Sequence, residues 1–247
     1  MNLVIDIGNT CTKFALFNKG EMMISVPVDE FLPEHVTLLK EEHPSLSKVL
    51  VSSVKDYSIV LKEKLIAEFP CFLEFNENTH LPIENHYQTK ETLGKDRLAA
   101  VVGANSKYPN ENILVIDAGT AITYDIITNE NKYLGGNISP GLQMRFKALN
   151  TFTGKLPLVC LDEGQYIYGN TTETAIRAGV QNGVIHEVEG TINLFKEFYE
   201  NLKIFLTGGD ANFFDKRLKN SFFVDLNLVT IGLNRILEHN IKIKKDS

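Results

Sequence analysis

The sequence predicts an α/β fold built twice, two similar halves that face each other and each present a carboxylate and a hairpin to a shared cleft. Three observations predict it. The chain opens with Leu3-Val4-Ile5-Asp6-Ile7-Gly8-Asn9-Thr10, an apolar run that delivers a carboxylate to a tight turn, and Phe14-Ala15-Leu16-Phe17 leads away as a second strand. Leu114-Val115-Ile116-Asp117-Ala118-Gly119-Thr120 then repeats the Leu-Val-Ile-Asp run and the glycine two residues past the aspartate, again with an apolar strand after it. Finally, 247 residues is near the length at which one hydrophobic core divides, so halves of 1–112 and 113–247 are natural. Two copies are too few for a solenoid, and a chance recurrence of common strand residues is the competing account of the repeat.

The remaining elements follow in order. Residues 21–28 read as a third strand with Pro27 at its edge or end, and 33–43 as a helix that Pro44 stops. Residues 48–54 form the next strand. Val60, Leu61, Leu65 and Phe69 give 57–69 an apolar helical face, Pro70 ends it, and 71–75 is a short strand. Residues 76–94 are polar and long for a loop, which suggests function. A helix opens at Lys95, with Leu98, Val101 and Val102 inward. In the second half, 132–136 is the third strand, and Gly135-Gly136-Asn137-Ile138-Ser139-Pro140-Gly141 reads as turn residues ahead of a helix at 142–150. Residues 153–164 read as irregular. Asn170 and Glu173 are spaced as a capping box for a long helix, whose small residues Ala175, Gly179 and Gly183 imply close approach of a neighbouring helix or of a second subunit. A strand at 203–207 leads through Gly208-Gly209 into a helix, and 228–239 closes the chain.

Composition narrows the function classes. With 43% hydrophobic and 23% charged residues, the chain is expected to be soluble and globular. A net charge of −6 argues against nucleic acid as the main partner, because such binding runs on clustered Lys and Arg. Lys242, Lys244 and Lys245 read as a solvated tail. Cys11, Cys71 and Cys160 are odd in number and lack a C-x-x-C pair, so they read as reduced small core residues of a cytoplasmic protein. No export signal and no membrane span is expected. The six histidines are scattered, which argues against zinc.

The chemistry concentrates at the turns. Gly8 lets the backbone approach a ligand, Asn9 tolerates left-handed φ, Thr10 adds a hydroxyl, and Lys13 supplies a positive charge, so the turn suits an anion. Asp6 suits a hydrated Mg²⁺ against the same phosphates. The alternative is an ordinary hairpin with an aspartate in it. Gly94-Lys95-Asp96-Arg97 has two readings as well: an acid placed at a helix start and paired with its basic neighbours on the surface, or a general base at Asp96 beside an anion clamp at Arg97.

Taken together, Asp6 to Thr10 with Lys13, Gly94 to Arg97, Asp117 to Thr120, Gly135 to Gly141, Leu156-Pro157, and Thr172 with Ala175, Ile176 and Gly179 resemble the type III pantothenate kinases. These are a branch of the actin-like, sugar kinase and heat-shock ATPase superfamily, and the match covers nearly the whole chain. The resemblance implies duplicated ribonuclease-H-like halves with a nucleotide cleft between them, and transfer of the ATP γ-phosphoryl group to the 4′-hydroxyl of pantothenate in coenzyme A biosynthesis. It implies that Asp6, Ile7, Gly8, Asn9, Thr10, Cys11, Thr12, Lys13 and Thr120 bind ATP, with Asp6 holding Mg²⁺ through water. Asp96 is the implied catalytic base. Tyr87, Gly94, Lys95, Asp96, Arg97 and Thr172 are the implied pantothenate contacts, and Asp117 the implied ligand of K⁺ or NH₄⁺. The resemblance further implies a homodimer. A kinase or phosphatase of the same superfamily with another substrate, and a non-catalytic regulator on the same scaffold, are the competing functions; retention of Asp6, Asp96 and Asp117 speaks against the regulator.

Overall fold

The computed structural model describes residues 1–164 and 166–246. By contacts the chain divides into two units. The first comprises Met1–Pro109, Asn131–Leu134 and the chain from Asn227 onward, and the second comprises Asn110–Glu130 and Gly135–Leu226.

In the first unit, β1 (Asn2–Ile7), β2 (Thr12–Asn18), β3 (Glu21–Val28), β4 (Lys48–Ser53) and β5 (Cys71–Glu74) form a sheet of order β3-β2-β1-β4-β5. β1 and β2 pair antiparallel, as do β2 and β3, while β4 lies parallel to β1 and β5 parallel to β4. Alternation sorts the side chains. Leu3, Ile5 and Ile7 of β1, Phe14 and Leu16 of β2, and Val49 and Val51 of β4 enter one apolar core with α1 (Pro33–Glu42) and α2 (Ile59–Glu68). Asn2, Val4 and Asp6 therefore point to the opposite face. That face is covered by α3 (Lys95–Lys107) and α7 (Leu228–Asp246), and Asn2 Nδ2 donates to Asn234 Oδ1 of α7 at 2.8 Å.

In the second unit, β7 (Ile113–Ala118) pairs antiparallel with β8 (Ala121–Ile127) and parallel with β10 (Lys203–Thr207), and β11 (Phe223–Val224) lies parallel to β10. With β9 (Lys132–Pro140) the order β11-β10-β7-β8-β9 reproduces the first sheet, so the chain is a duplicated ribonuclease-H-like α/β fold. A two-residue strand, β6 (Glu84–Asn85), pairs with Lys132 and Tyr133 at the start of β9. The faces are duplicated too. Leu114, Ile116 and Ala118 enter the core with α4 (Leu142–Thr151), α5 (Thr172–Phe198) and α6 (Ala211–Asp215), which leaves Asp117, like Asp6, on the other face.

Several expectations are revised. The glycine run at 135–139 is strand, not turn, because the backbone of β8 passes so close that a Cβ on Gly136 would collide with the Tyr124 carbonyl, and Gly135 has φ +108°. The cap of α5 is Thr171, whose Oγ1 accepts from Thr174 N–H, rather than Asn170. The lysines expected in a solvated tail lie in the last turns of α7, where cations complement the helix dipole. Cys11 and Cys160 are exposed and Cys71 half-buried, so they are not core residues, and all three are free thiols. The closing helix packs in the first unit, where its Gly232 meets the Ala99 carbonyl of α3 too closely for any side chain.

Candidate active site

In the first unit the site forms where β1 ends. The strand register puts Lys13 of β2 and Ser52 of β4 on either side of Asp6, all on the face shared with α3. Asp6 is half-buried. Burial of its carboxyl group and the charge of Asp96 push its pKa up to about 6, against smaller opposing effects of Ser52 and Lys13. The Ser52 hydroxyl is buried near enough to ease that charge, yet outside hydrogen-bonding geometry, and its Oγ has no partner. A buried carboxylate under repulsion beside an orphaned hydroxyl is a site short of positive charge and of a hydrogen bond. A hydrated cation supplies both, so these residues fit Mg²⁺. Mg²⁺ takes one or two carboxylates and keeps several of its waters.

The turn after β1 closes with Gly8 N–H donating to the Cys11 carbonyl at 3.1 Å. Asn9, Thr10 and Cys11 are exposed, while Thr12 is buried. Asn9 has negative φ, so the left-handed geometry expected of it is not used.

Asp96 lies in the first turn of α3, where its Oδ1 accepts from the Arg97 backbone N–H at 2.8 Å. A Cβ on Gly94 would sit 2.5 Å from that oxygen, so the glycine keeps the carboxylate clear. The basic neighbours do not pair with it on the surface. Lys95 Nζ donates to the Ser53 carbonyl at 3.1 Å, which ties the start of α3 to the end of β4. Arg97 is only 6% exposed, and its guanidinium carbon lies 5.6 Å from the centre of the Tyr87 ring, which itself stacks on Tyr133. The long loop thus delivers Tyr87 to Arg97.

In the second unit the repeated turn closes through Gly119 N–H to the Ala121 carbonyl at 3.0 Å. Gly141 N–H donates to the Thr120 carbonyl at 3.1 Å, and a Cβ on Gly141 would strike the carbonyls of Gly119 and Thr120. Gly208, at φ +93°, lies over the end of β7, where a Cβ would collide with the Ala118 carbonyl and Asp117 Oδ1. Only a residue without a side chain allows this close approach of the backbone. The register counterpart of Lys13 is Thr123 and that of Ser52 is Thr207, so threonines flank the second carboxylate within its own sheet. A carboxylate flanked by threonines offers the oxygen ligands that a monovalent cation takes. Asp210, whose N–H donates to the Ala118 carbonyl at 2.8 Å, has its pKa raised by burial. Thr172 stands apart from these turns, at the start of α5, beside an apolar groove of about 890 Å³ lined by Leu149, Phe152, Leu156, Ala175, Ile176 and Gly179. A Cβ at Gly179 or Gly183 would meet nothing within 4 Å, so no neighbouring helix of the same half, among the described residues, explains them.

The sequence singled out Asp6, Asp96 and Asp117 but missed Asp210 and Ser52. The signal for Ser52 was faint: a hydroxyl at the strand position whose periodicity faces Asp6, in a run that is otherwise apolar.

The family model described as type III pantothenate kinase matches residues 2–194. A relative named type III pantothenate kinase from Phocaeicola vulgatus is 46% identical, over 98% of this chain and 100% of its own length. Among solved structures, one described as a conserved putative Baf family transcriptional activator from Campylobacter jejuni has TM-score 0.58 at 26% identity, covering 97% of this chain and 99% of that one. An activator of 2-hydroxyisocaproyl-CoA dehydratase from Clostridium difficile, solved with ADPNP, has TM-score 0.56 at 13% identity, over 100% and 97%, and shares the fold.

Proposed function

Because this chain belongs to the type III pantothenate kinase family, we propose that it transfers the γ-phosphoryl group of ATP to the 4′-hydroxyl of pantothenate, the first step of coenzyme A biosynthesis. Membership makes it a phosphotransferase that acts on pantothenate with ATP as co-substrate. The observation that carries the residue-level reading is the grouping of Lys13, Ser52 and Asp96 around the strained carboxyl of Asp6.

In this reading Asp96 accepts the proton of the 4′-hydroxyl as that oxygen bonds to phosphorus and ADP departs. The Arg97 N–H at the helix start fixes the direction of the Asp96 carboxylate. Lys13 and the backbone N–H groups of residues 7–12 hold the phosphates of ATP, and Thr120 contacts the nucleotide from the repeated turn. Asp6 and Ser52 would hold Mg²⁺, which would supply charge neutralisation at the transferring phosphoryl group. Arg97, oriented by the Tyr87 ring, receives the carboxylate of pantothenate. Gly94, Lys95 and Thr172 complete the pantothenate contacts, with Lys95 acting through the tie of its ammonium to β4. Asp117 would hold K⁺ or NH₄⁺. The open small-residue face of α5 supports a homodimer, with a second copy lying against Gly179 and Gly183, and the reading places the enzyme in the cytoplasm. The Campylobacter jejuni description favours a regulator instead, but a regulator has no use for all three of Asp6, Asp96 and Asp117.

Turnover in matched K⁺ and Na⁺ buffers tests this, with the product analysed by ³¹P NMR. The expected result is a phosphomonoester on the primary hydroxyl of pantothenate, formed several-fold faster in K⁺. Equal rates in both salts would remove the cation role from Asp117, and phosphate on another group or no product would refute the acceptor assignment.

A further inference from the structure

Behind the Thr120 turn lies a hydrogen-bonded cluster that ties the end of the Gly135–Gly141 run to α4 and α5. Glu187 of α5 is its centre. Its Oε1 accepts from Ser139 Oγ of β9 at 2.5 Å and from the Tyr124 hydroxyl of β8 at 3.1 Å. Its Oε2 accepts from Arg145 Nη2 of α4 at 2.7 Å. Arg145 reaches back along the chain, with Nε donating to the Pro140 carbonyl at 2.8 Å and Nη2 contacting Ser139 Oγ at 3.3 Å. Burial alone would raise the Glu187 pKa, but the hydrogen bonds of Ser139 and Arg145 hold it below the usual carboxylate value, so the centre stays charged. Burial and that charge push the Tyr124 phenol up, which keeps it a donor.

The cluster grips the three residues that end in the clasp on Thr120. Ser139 is held by Glu187, Pro140 by Arg145, and Gly141 gives its N–H to the Thr120 carbonyl. Gly141 also abuts the Gly119 and Thr120 carbonyls too closely to tolerate a side chain, so a shift of this strand end is transmitted directly to the turn. We propose that Glu187 is a positioning residue for ATP: through Ser139 and Arg145 it fixes the strand end that clamps the Thr120 turn. The proposal rests on the reading of that turn as an ATP contact.

A role confined to stability would lower the melting temperature without changing nucleotide affinity in the folded enzyme. The test is therefore equilibrium titration of MgATP, without pantothenate, into wild type, Glu187→Gln and Arg145→Lys, with circular dichroism at the same temperature and steady-state KM for both substrates. Each variant is expected to stay folded and to weaken MgATP binding by roughly tenfold, while KM for pantothenate stays within about twofold. Glu187→Gln that is folded and binds MgATP like wild type overturns the proposal. So does an equal rise in both KM values, which signals general loosening. If Glu187→Gln does not fold, Arg145→Lys decides by the same two criteria, and should that fail too, Ser139→Ala decides with an expected loss of about threefold. Wild type that binds MgATP but does not phosphorylate pantothenate refutes the acceptor assignment and leaves this test standing. Wild type that does not bind MgATP refutes both.

Discussion

Replacing Asp96 by Asn lowers kcat by roughly 10² to 10⁴ and leaves KM for ATP and pantothenate within a few-fold. The asymmetry follows from what the carboxylate does. It takes a proton that leaves the hydroxyl only as the new oxygen–phosphorus bond forms, so its interaction is made in the transition state and is weak before it. Asparagine keeps the size of the side chain and still offers an oxygen to the Arg97 N–H that holds Asp96 Oδ1 at 2.8 Å. The helix start is therefore preserved and the base alone is lost. Steady-state kinetics with circular dichroism on the same preparation read this out. A folded Asp96→Asn enzyme with wild-type kcat would take the base role away from Asp96.

Asp6→Asn is expected to cost activity and add stability. The folded pKa of Asp6 is pushed up to about 6 from 3.8, first by burial and then by Asp96. A raised carboxyl pKa means that the folded state prefers the protonated form. Its favourable contribution is complete below pH 3.8 and is lost as pH rises to about 6. Above that, the ionised group costs about 3 kcal/mol, the shift multiplied by 1.36 kcal/mol per unit. Asparagine carries no such cost. In metal-free buffer at pH 8 the variant should resist urea better than wild type by up to about 3 kcal/mol, and the gap should close as pH falls from about 6 to 4. Glu74 and Glu187 act in the opposite sense: burial pushes each up, but hydrogen bonds and nearby cations hold both below the usual carboxylate value. Only the difference between variant and wild type isolates Asp6. Turnover should fall roughly 10² or more, because the charge that holds Mg²⁺ is gone. A variant no more stable than wild type at pH 8 would contradict the account of Asp6 as a strained carboxylate.

What was legible in the sequence were features with a local cause. Apolar runs marked the longer strands of both halves and apolar helical spacing their longer helices, and the repeated Leu-Val-Ile-Asp run foretold that Asp6 and Asp117 stand at equivalent places in equivalent sheets. Glycine misled where its reason was tertiary. Gly135 and Gly136 read as a turn because nothing local shows that the β8 backbone will pass beside them. Gly103 and Gly232 gave no hint that α7 returns to α3 across more than half the chain. β6 and β11, two residues each, exist only by pairing with neighbours already in place. In the site, charged residues next to glycine announced themselves, whereas Ser52 and Glu187 matter through partners brought up by distant strands and helices.

The central claim, that this protein is a kinase of pantothenate, is tested most directly by ADP release from the purified wild-type enzyme with MgATP in K⁺ buffer, measured with and without pantothenate. The account predicts release that requires pantothenate and yields one ADP for each phosphopantothenate formed. Release that pantothenate does not increase, from protein shown to be folded and to bind MgATP, would contradict it.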